Sequence, residues 1–174
     1  MERLLSEIKN AMEWDDSGDD RVAQLWHLRE QIFSSNRVAY AKWFQKRATF
    51  FSKKIFTDFL RVLNHFPDPK VGLSCQAQNI LLALEENSPL STKQLKAVVG
   101  LKGQSQEADY TRALSELGSR LLVVGCGEVD DGAFPSLAIG ATSRIFEAEW
   151  KKASTQDFQS ALANIQNALG DASP

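Results

Sequence analysis

The chain has 174 residues, of which 43% are hydrophobic and 24% are charged, and its formal net charge is −2. This length and composition fit one ordinary domain, or one domain with a helical extension, and they exclude wholesale disorder. The sequence contains no run of about 18 apolar residues and no leader-like start, so we expect a cytoplasmic protein that has no membrane partner.

The first 66 residues are predicted to be a helical region. Apolar residues at helical spacing predict helices near residues 4–12 and 22–29, which "WDDSGDD" separates. Ser52 is a candidate N-cap for a third helix, and the prolines of "FPDPK" end that helix at residues 66–70.

A basic and aromatic stretch, "RVAYAKWFQKRATFFSKK", occupies residues 37–54, and its "RATFFS" favours a short extended piece. The stretch holds six cations and no acid, whereas residues 1–20 hold two cations and seven acids. Long cations beside aromatic rings suit contact with nucleic-acid phosphates. The candidate DNA contacts of this stretch are Arg37, Lys42, Lys46, Arg47, Lys53 and Lys54. A packed aromatic face, from which lysines extend into water, explains the same pattern.

Residues 73–100 predict two short helices with well-marked ends. Ser74 is placed to cap "CQAQNILLALEEN", whose apolar residues form a single stripe. Ser91 and Gln94 have the spacing of a capping box at the start of the second helix. Gly100 suits the left-handed position that follows the end of that helix.

Residues 101–141 predict one more helix, which is followed by a β-hairpin. The helix is expected to begin near Ser105, and Asp131-Gly132 marks a tight turn within the β-rich segment "LLVVGCGEVDDGAFPSLAIG". Pro135 is expected to place the second strand at a sheet edge, because proline cannot donate to a ladder. This order of elements is typical of a winged helix-turn-helix in which the hairpin is the wing.

The predicted fold is therefore mainly α with a small β-hairpin, an α+β winged helix-turn-helix domain with helical extensions at both ends. The winged helix-turn-helix is expected over residues 73–141, after an N-terminal helical region over 1–66 and before a C-terminal extension over 142–174. The extension includes an amphipathic helix over residues 155–169, which must pack on the N-terminal helix or on a second subunit.

Three segments resemble a known family. "AYAKWFQKRATFFS", followed by "SPLSTKQLKAVVG" and "YTRALSELGSRLLVV", is similar to the AlkZ-related winged-helix proteins, small bacterial relatives of the AlkZ/YcaQ DNA glycosylases. The similarity covers residues 25–141. Its most specific part is the pattern Tyr40, Lys42, Phe44, Arg47, Ala48, Phe50 and Ser52. The resemblance implies a winged-helix fold, a bacterial cytoplasmic setting and a link to DNA, but no particular activity.

The helix expected to begin near Ser105 is the presumed recognition helix, because DNA readers place the N-terminal half of this element in the major groove. The side chains there that suit bases or phosphates are Lys102, Gln104, Ser105, Gln106, Arg112 and Arg120. Three acids of the same segment, Glu107, Asp109 and Glu116, would repel a phosphate backbone. The wing tip is acidic as well, which is unfavourable for a wing that grips the minor groove.

The sequence offers little support for an enzyme. Gln76 and Gln78 resemble the paired glutamines of the alkylpurine glycosylases, but positions i and i+2 of a helix point about 200° apart and cannot converge. Cys75 and Cys126 lie far apart without a partner motif, which predicts two buried thiols. We therefore expect no catalytic residue, no cofactor and no metal site.

The leading hypothesis is a non-enzymatic winged-helix protein that binds double-stranded DNA, linked to DNA repair or to transcription regulation. The alternative is a protein-interaction module on the same fold, with a protein partner or self-association through the 155–169 helix. A DNA glycosylase-like enzyme ranks third. The first two hypotheses differ in whether the basic stretch and the recognition helix share one face of the molecule.

Overall fold

The structure is a computed structural model, and it describes residues 38–43, 47–64, 66–101, 106–129 and 136–170. The two helices expected within residues 1–29 and the turn expected at Asp131-Gly132 lie outside these residues. The expected combination of helices with an antiparallel hairpin is confirmed.

The described residues form five strands and seven helices. The strands are β1 (Val38–Lys42), β2 (Ala48–Ser52), β3 (Leu90–Ser91), β4 (Val123–Val129) and β5 (Ser136–Ala141). The helices are α1 (Lys53–Leu63), α2 (Cys75–Asn87), α3 (Thr92–Val98), α4 (Glu107–Ser119), α5 (Thr142–Ile145), α6 (Glu147–Thr155) and α7 (Phe158–Gly170).

The strands form one antiparallel sheet in the order β2-β1-β4-β5-β3, which is larger than the small hairpin that the sequence predicts. The basic stretch supplies two of the strands: β1 and β2 pair along their length, with Tyr40 opposite Phe50. β1 also joins β4, where Tyr40 lies opposite Gly125. The described part of the basic stretch thus belongs to the same sheet as the β4–β5 hairpin. The pairing of β1 with β4 could not be predicted from the sequence because these two strands are far apart in the chain.

The prediction that the second strand of the β4–β5 hairpin lies at a sheet edge is wrong. β5 pairs with β4 on one side and with β3 on the other, where Leu90 lies opposite Ile139. β3 has two residues, which is too short to produce an alternating pattern in the sequence. Pro135, the residue that motivated the prediction, lies outside the described residues.

Two hydrophobic cores lie on opposite faces of the sheet. Val123 belongs to the first core and Val124 to the second, because consecutive side chains of a strand point to opposite faces. The first core includes Leu73, Ala77, Ile80, Leu81, Ala83, Leu84, Leu95, Tyr110, Ala113, Leu117, Leu122, Val123 and Ala141. The second core includes Ala39, Ala41, Phe51, Phe56, Leu60, Leu121, Val124, Phe146 and Ala153. Helices α2, α3 and α4 therefore cover one face, and α1 and α6 cover the other.

The predicted ends of α2 and α3 are confirmed. The Ser74 hydroxyl accepts a hydrogen bond from the Ala77 backbone N–H at 3.3 Å at the start of α2. At the start of α3, the Ser91 hydroxyl accepts from the Gln94 backbone N–H at 3.1 Å, and the Gln94 side chain accepts from the Ser91 N–H at 2.8 Å. Gly100 follows α3 with a φ of 71°, the left-handed region that favours glycine.

A leucine takes the corresponding left-handed position after α4. Leu121 has a φ of 55° and is fully buried in the second core. Its N–H donates to the Gly118 carbonyl and the Leu122 N–H donates to the Leu117 carbonyl, both at 3.0 Å, which is the Schellman arrangement. Leu122 is buried in the first core, so two adjacent leucines anchor the chain on both faces of the sheet.

The C-terminal helix begins later than predicted and packs within the chain. α7 starts at Phe158 because Asp157 caps it, with the Asp157 carboxylate accepting from the Ser160 N–H at 2.8 Å. The capping hydrogen bonds from Ser160 lower the pKa of Asp157. Ala161 and Ile165 are buried on the side of α7 that contacts α1. The partner surface is therefore α1, whereas the predicted N-terminal helix lies outside the described residues.

A buried carboxylate ties α7 to α1. Asp58 of α1 is 2% exposed, and its Oδ1 accepts hydrogen bonds from the Gln156 amide at 2.5 Å and from the Asn164 amide at 3.3 Å. Both amides come from the α6–α7 region. Because an unpaired carboxylate is costly to bury, these two donors stabilise the docked position of the C-terminal helix.

The two cysteines differ in environment, and the prediction of two buried thiols is wrong for one of them. Cys75 is exposed at the first residue of α2, where the side chains face solvent. Cys126 is half-buried on β4, and burial raises the pKa of its thiol to about 12.

We therefore expect one fast and one slow thiol. At pH 8 a thiol-specific reagent should modify Cys75 quickly and Cys126 slowly, because the reactive thiolate form of Cys126 is scarce far below a pKa of about 12. The absorbance of the coloured leaving group that the reagent releases measures both rates. In Cys75→Ser the fast phase should vanish, and denaturant should convert the slow phase into a fast one. Two equal rates in the folded wild type would contradict the burial of Cys126.

The left-handed backbone at Leu121 predicts an unusual order of stabilities. Leu121→Ala should lower the free energy of unfolding by about 2–5 kcal/mol, because it removes a fully buried side chain. Leu121→Gly removes the same side chain but relieves about 1–2 kcal/mol of left-handed strain, so it should be the more stable of the two. Urea unfolding measures both variants.

Leu122 is the matched control, because it is as deeply buried and its φ is not positive. At this position glycine should be less stable than alanine. The same order at both positions would contradict the role assigned to the Leu121 backbone.

Candidate nucleic-acid interface

The exposed face of α4 borders an open space of about 900 Å³, which we call the α4 groove. Its lining side chains recur at helical spacing on the side of α4 that faces away from the first core. They are Glu107, Ala108, Thr111, Arg112, Ser115, Glu116 and Ser119. Most of these side chains are short, so an approaching molecule can come close to the helix backbone.

Each of the three acids of α4 has a partner in the structure. The Glu107 carboxylate pairs with the Lys96 ammonium at 2.6 Å, and the Asp109 carboxylate pairs with the Arg112 guanidinium at 3.3 Å. The Glu116 carboxylate is held by Ser74. The expectation that these acids repel a phosphate backbone therefore weakens, since a compensated carboxylate has a smaller field at a distance.

Glu116 supports the start of α2. One of its oxygens accepts from the Ser74 N–H at 2.9 Å, and the other accepts from the Ser74 hydroxyl at 2.6 Å. The Ser74 hydroxyl oxygen in turn caps α2 at Ala77. A carboxylate beside the N-terminus of a helix is stabilised by the helix dipole, so Glu116 joins the end of α4 to the start of α2.

The turn of the β1–β2 hairpin meets the C-terminal end of α4. The Trp43 indole N–H donates to the Ser119 carbonyl at 3.0 Å. Gly118 packs so closely against β1 that a Cβ there would lie 2.8 Å from the Lys42 carbonyl oxygen. Trp43 is itself held by edge-on ring contacts with Phe51 and Phe59. The basic hairpin therefore adjoins one end of the α4 groove.

Two cations of the basic stretch are available at this place. Lys42 and Arg47 flank the turn of the hairpin and are exposed. Neither side chain pairs with a carboxylate of the described residues. Arg37 and Lys46, two other predicted contacts of the basic stretch, lie outside the described residues.

Lys53 and Lys54 lie on the opposite side of the sheet. Both belong to α1, which packs in the second core, whereas α4 packs in the first core. Lys53 pairs with Glu149 of α6 at 3.0 Å, while Lys54 is exposed. These two lysines are therefore not part of the surface that α4 presents.

Arg120 has a structural contact that the sequence did not reveal. Its guanidinium donates to the Val71 carbonyl at 2.7 Å, and its own carbonyl accepts from the Asn64 amide at 3.0 Å. The Arg120 side chain thus stabilises the turn before α2 and does not line the groove.

The other predicted contacts of this segment have different outcomes. Gln106 is half-buried just before α4, and Lys102, Gln104 and Ser105 lie outside the described residues. Arg112 is the predicted contact that lines the groove.

The paired glutamines do not form a common site. Gln76 is exposed on α2, whereas the Gln78 amide donates to the Leu73 carbonyl at 3.0 Å.

No group of three side chains suited to hold a metal ion occurs among the described residues. Within the same part of the chain, every helix is too short or too polar to cross a membrane.

Comparison with known protein families finds a relationship that covers almost the whole chain. The model of the AlkZ-related family matches residues 4–174. The chain belongs to the AlkZ-related family. The match extends beyond residues 25–141, so the C-terminal extension is part of the family pattern. Neither the curated proteins nor the solved structures contain a match to this AlkZ-related chain.

The contact between Glu116 and Ser74 predicts a stability effect. Glu116→Ala should lower the free energy of unfolding by about 1–2 kcal/mol, because it leaves two donors at the start of α2 without their carboxylate. Glu107→Ala is the control: its pair with Lys96 is about half exposed, so its loss should cost less than about 1 kcal/mol. Equal effects of the two substitutions in urea unfolding would show that Glu116 is not a structural acid.

Proposed function

We propose that this chain is a winged-helix protein that binds double-stranded DNA without catalysing a reaction on it. The winged-helix assignment is supported by the element order from Cys75 to Ala141, which is helix, short strand, helix, helix, strand, strand. The pairing of β3 with β5 and of β5 with β4 supports it too. A cytoplasmic setting and a link to DNA repair or transcription regulation belong to the same proposal.

The observation that carries the proposal is the contact between the basic hairpin and α4. The hydrogen bond from the Trp43 indole to the Ser119 carbonyl holds the hairpin turn against α4, and the exposed cations Lys42 and Arg47 flank this turn. The thirteen residues of α4 make a rod about 20 Å long and, with its side chains, about 10–12 Å in diameter, which fits the major groove of B-form DNA, about 12 Å wide. The hairpin cations would then face phosphates at the edge of that groove.

The charge at this end of α4 favours the same arrangement. A helix C-terminus carries a partial negative charge, which disfavours a nearby phosphate. The backbone of Lys42 lies beside that terminus and Arg47 flanks the same hairpin turn, so their positive charges would offset the negative end of the helix. In this binding mode the hairpin supplies most of the affinity, and α4 supplies shape and base contacts.

A protein-interaction module remains the second candidate. The observation that favours it is the charge of the groove, which holds two acids and one arginine. Self-association through α7 has less support, because the buried residues of α7 already pack on α1. A protein partner would contact the small side chains of the α4 face without any dependence on DNA.

The proposal predicts a specific change in salt dependence. Each phosphate neutralised contributes about 0.9 to the negative slope of log K against log salt concentration. The double variant Lys42→Ala, Arg47→Ala should therefore weaken binding to all duplexes and flatten this slope by roughly one to two units. Fluorescence anisotropy of a labelled duplex between about 50 and 200 mM salt measures it.

A control of equal charge is the double variant Lys54→Ala, Lys152→Ala, whose lysines are exposed on α1 and α6 across the sheet. It should leave the slope almost unchanged. Equal flattening in both double variants would mean that the hairpin is not the contact surface. If the wild type shows no salt-sensitive binding to any duplex, the DNA proposal is wrong and the protein-interaction alternative replaces it.

A further inference from the structure

We propose that Asp109 is a positioning residue that holds Arg112 for contact with a guanine in the major groove. The inference rests on the proposed function and adds to it which base is recognised and by which pair of residues. It uses the α4 groove and not the basic hairpin, so its test can be separated from the test of DNA binding itself.

Arg112 is well placed to reach a bound molecule. Its side chain is 78% exposed and lies in the central turn of α4, on the face that lines the groove. Among the described side chains that line the groove, it is the one cation. Ala108 and Thr111 flank it with short side chains, so the guanidinium projects beyond its neighbours.

The structure selects Asp109 as the partner of Arg112. Two acids are within helical reach of Arg112, Asp109 at i−3 and Glu116 at i+4. Both carboxylate oxygens of Glu116 are engaged by Ser74, at 2.9 and 2.6 Å. Arg112 therefore pairs with Asp109, with its Nη1 lying 3.3 Å from the Asp109 Oδ1.

This pair leaves a donor edge of Arg112 free for a base. An arginine has five N–H donors in a rigid fork, and the contact with Asp109 involves one nitrogen. Guanine presents two adjacent acceptors in the major groove, O6 and N7, which match that fork. An exposed ion pair contributes little to the stability of the folded protein, so the consequence of the Asp109 contact is the orientation of the guanidinium.

The first experiment identifies the preferred duplex and tests the base contact. The full chain selects binding sites from a library of random duplexes, and its affinity is then measured for the selected site and for an unrelated duplex. Each guanine of the selected site is replaced in turn by 7-deazaguanine, which lacks the N7 acceptor. We expect one replacement to weaken wild-type binding at least about fivefold, the lower end for a bidentate base contact.

Substitutions at Arg112 decide whether that guanine is its target. In Arg112→Ala the same 7-deazaguanine replacement should have no further effect, because the partner of N7 is already missing. Arg112→Lys keeps the charge but loses the fork, so it should lose the preference while it retains binding to the unrelated duplex. If the 7-deazaguanine replacement weakens the binding of Arg112→Ala as much as that of the wild type, Arg112 does not contact that guanine and the proposal is wrong.

The Asp109→Asn variant tests positioning by a readout that charge alone cannot produce. Removal of a negative charge should strengthen binding to the unrelated duplex, while the loss of orientation should weaken binding to the selected site. The ratio of the two affinities should therefore fall severalfold. Glu86→Gln, at an exposed acid of α2, is the charge-matched control and should leave the ratio unchanged.

The outcomes of these experiments distinguish the positioning role of Asp109 from DNA binding itself. An unchanged affinity ratio in Asp109→Asn, or a wild type that binds duplexes without any preference, overturns the inference and leaves DNA binding intact. The absence of salt-sensitive binding to every duplex overturns the proposed function, and the inference falls with it.

Discussion

The carbonyl groups in the last turn of a helix have no backbone partner within the helix, and in α4 they are satisfied by a serine hydroxyl, by the turn that follows the helix and by two distant side chains. Each carbonyl from residue 116 to residue 120 accepts a hydrogen bond. The donors, in the order of these carbonyls, are Ser119 Oγ, Leu122 N, Leu121 N, Trp43 Nε1 and Asn64 Nδ2. The last two donors come from the basic hairpin and from the end of α1. The end of α4 thereby fixes both of these elements relative to the helix.

The turn that follows α4 then decides how the two faces of the sheet are covered. The left-handed conformation of Leu121 costs about 1–2 kcal/mol, which is offset by the about 1.5–3 kcal/mol gained when its side chain is buried. The Leu121 carbonyl accepts from the Thr142 hydroxyl at 2.5 Å, and the Leu122 carbonyl accepts from the Thr142 N–H at 2.9 Å. The entry to β4 and the exit from β5 are thus joined at the boundary between the two cores.

The electrostatic character of α4 follows from contacts within the fold and not from its composition. The helix has three acids, yet each of them is compensated by Lys96, by Arg112 or by the start of α2. The exposed cations Lys42 and Arg47 belong to another element, the β1–β2 hairpin, which contacts the end of α4 through Trp43. A small net charge and a localised basic region are therefore compatible in this molecule, because binding responds to the local field and not to the sum of charges.

The sequence by itself determined the local features of this protein. The capping box at Ser91, the cap at Ser74 and the left-handed Gly100 depend on neighbours within a few residues, so spacing and residue type were enough to predict them. The composition of the basic stretch likewise predicted six candidate contacts, which include Lys42 and Arg47.

Only the tertiary structure decided how these features come together. The five-stranded sheet, the interior position of β5 and the bond from Trp43 to Ser119 depend on residues far apart in the chain. The structural roles of Arg120 and Glu116 also depend on distant partners. Composition and periodicity describe one element at a time. Whether a charged side chain faces a ligand or braces its own fold depends on what the rest of the chain places beside it.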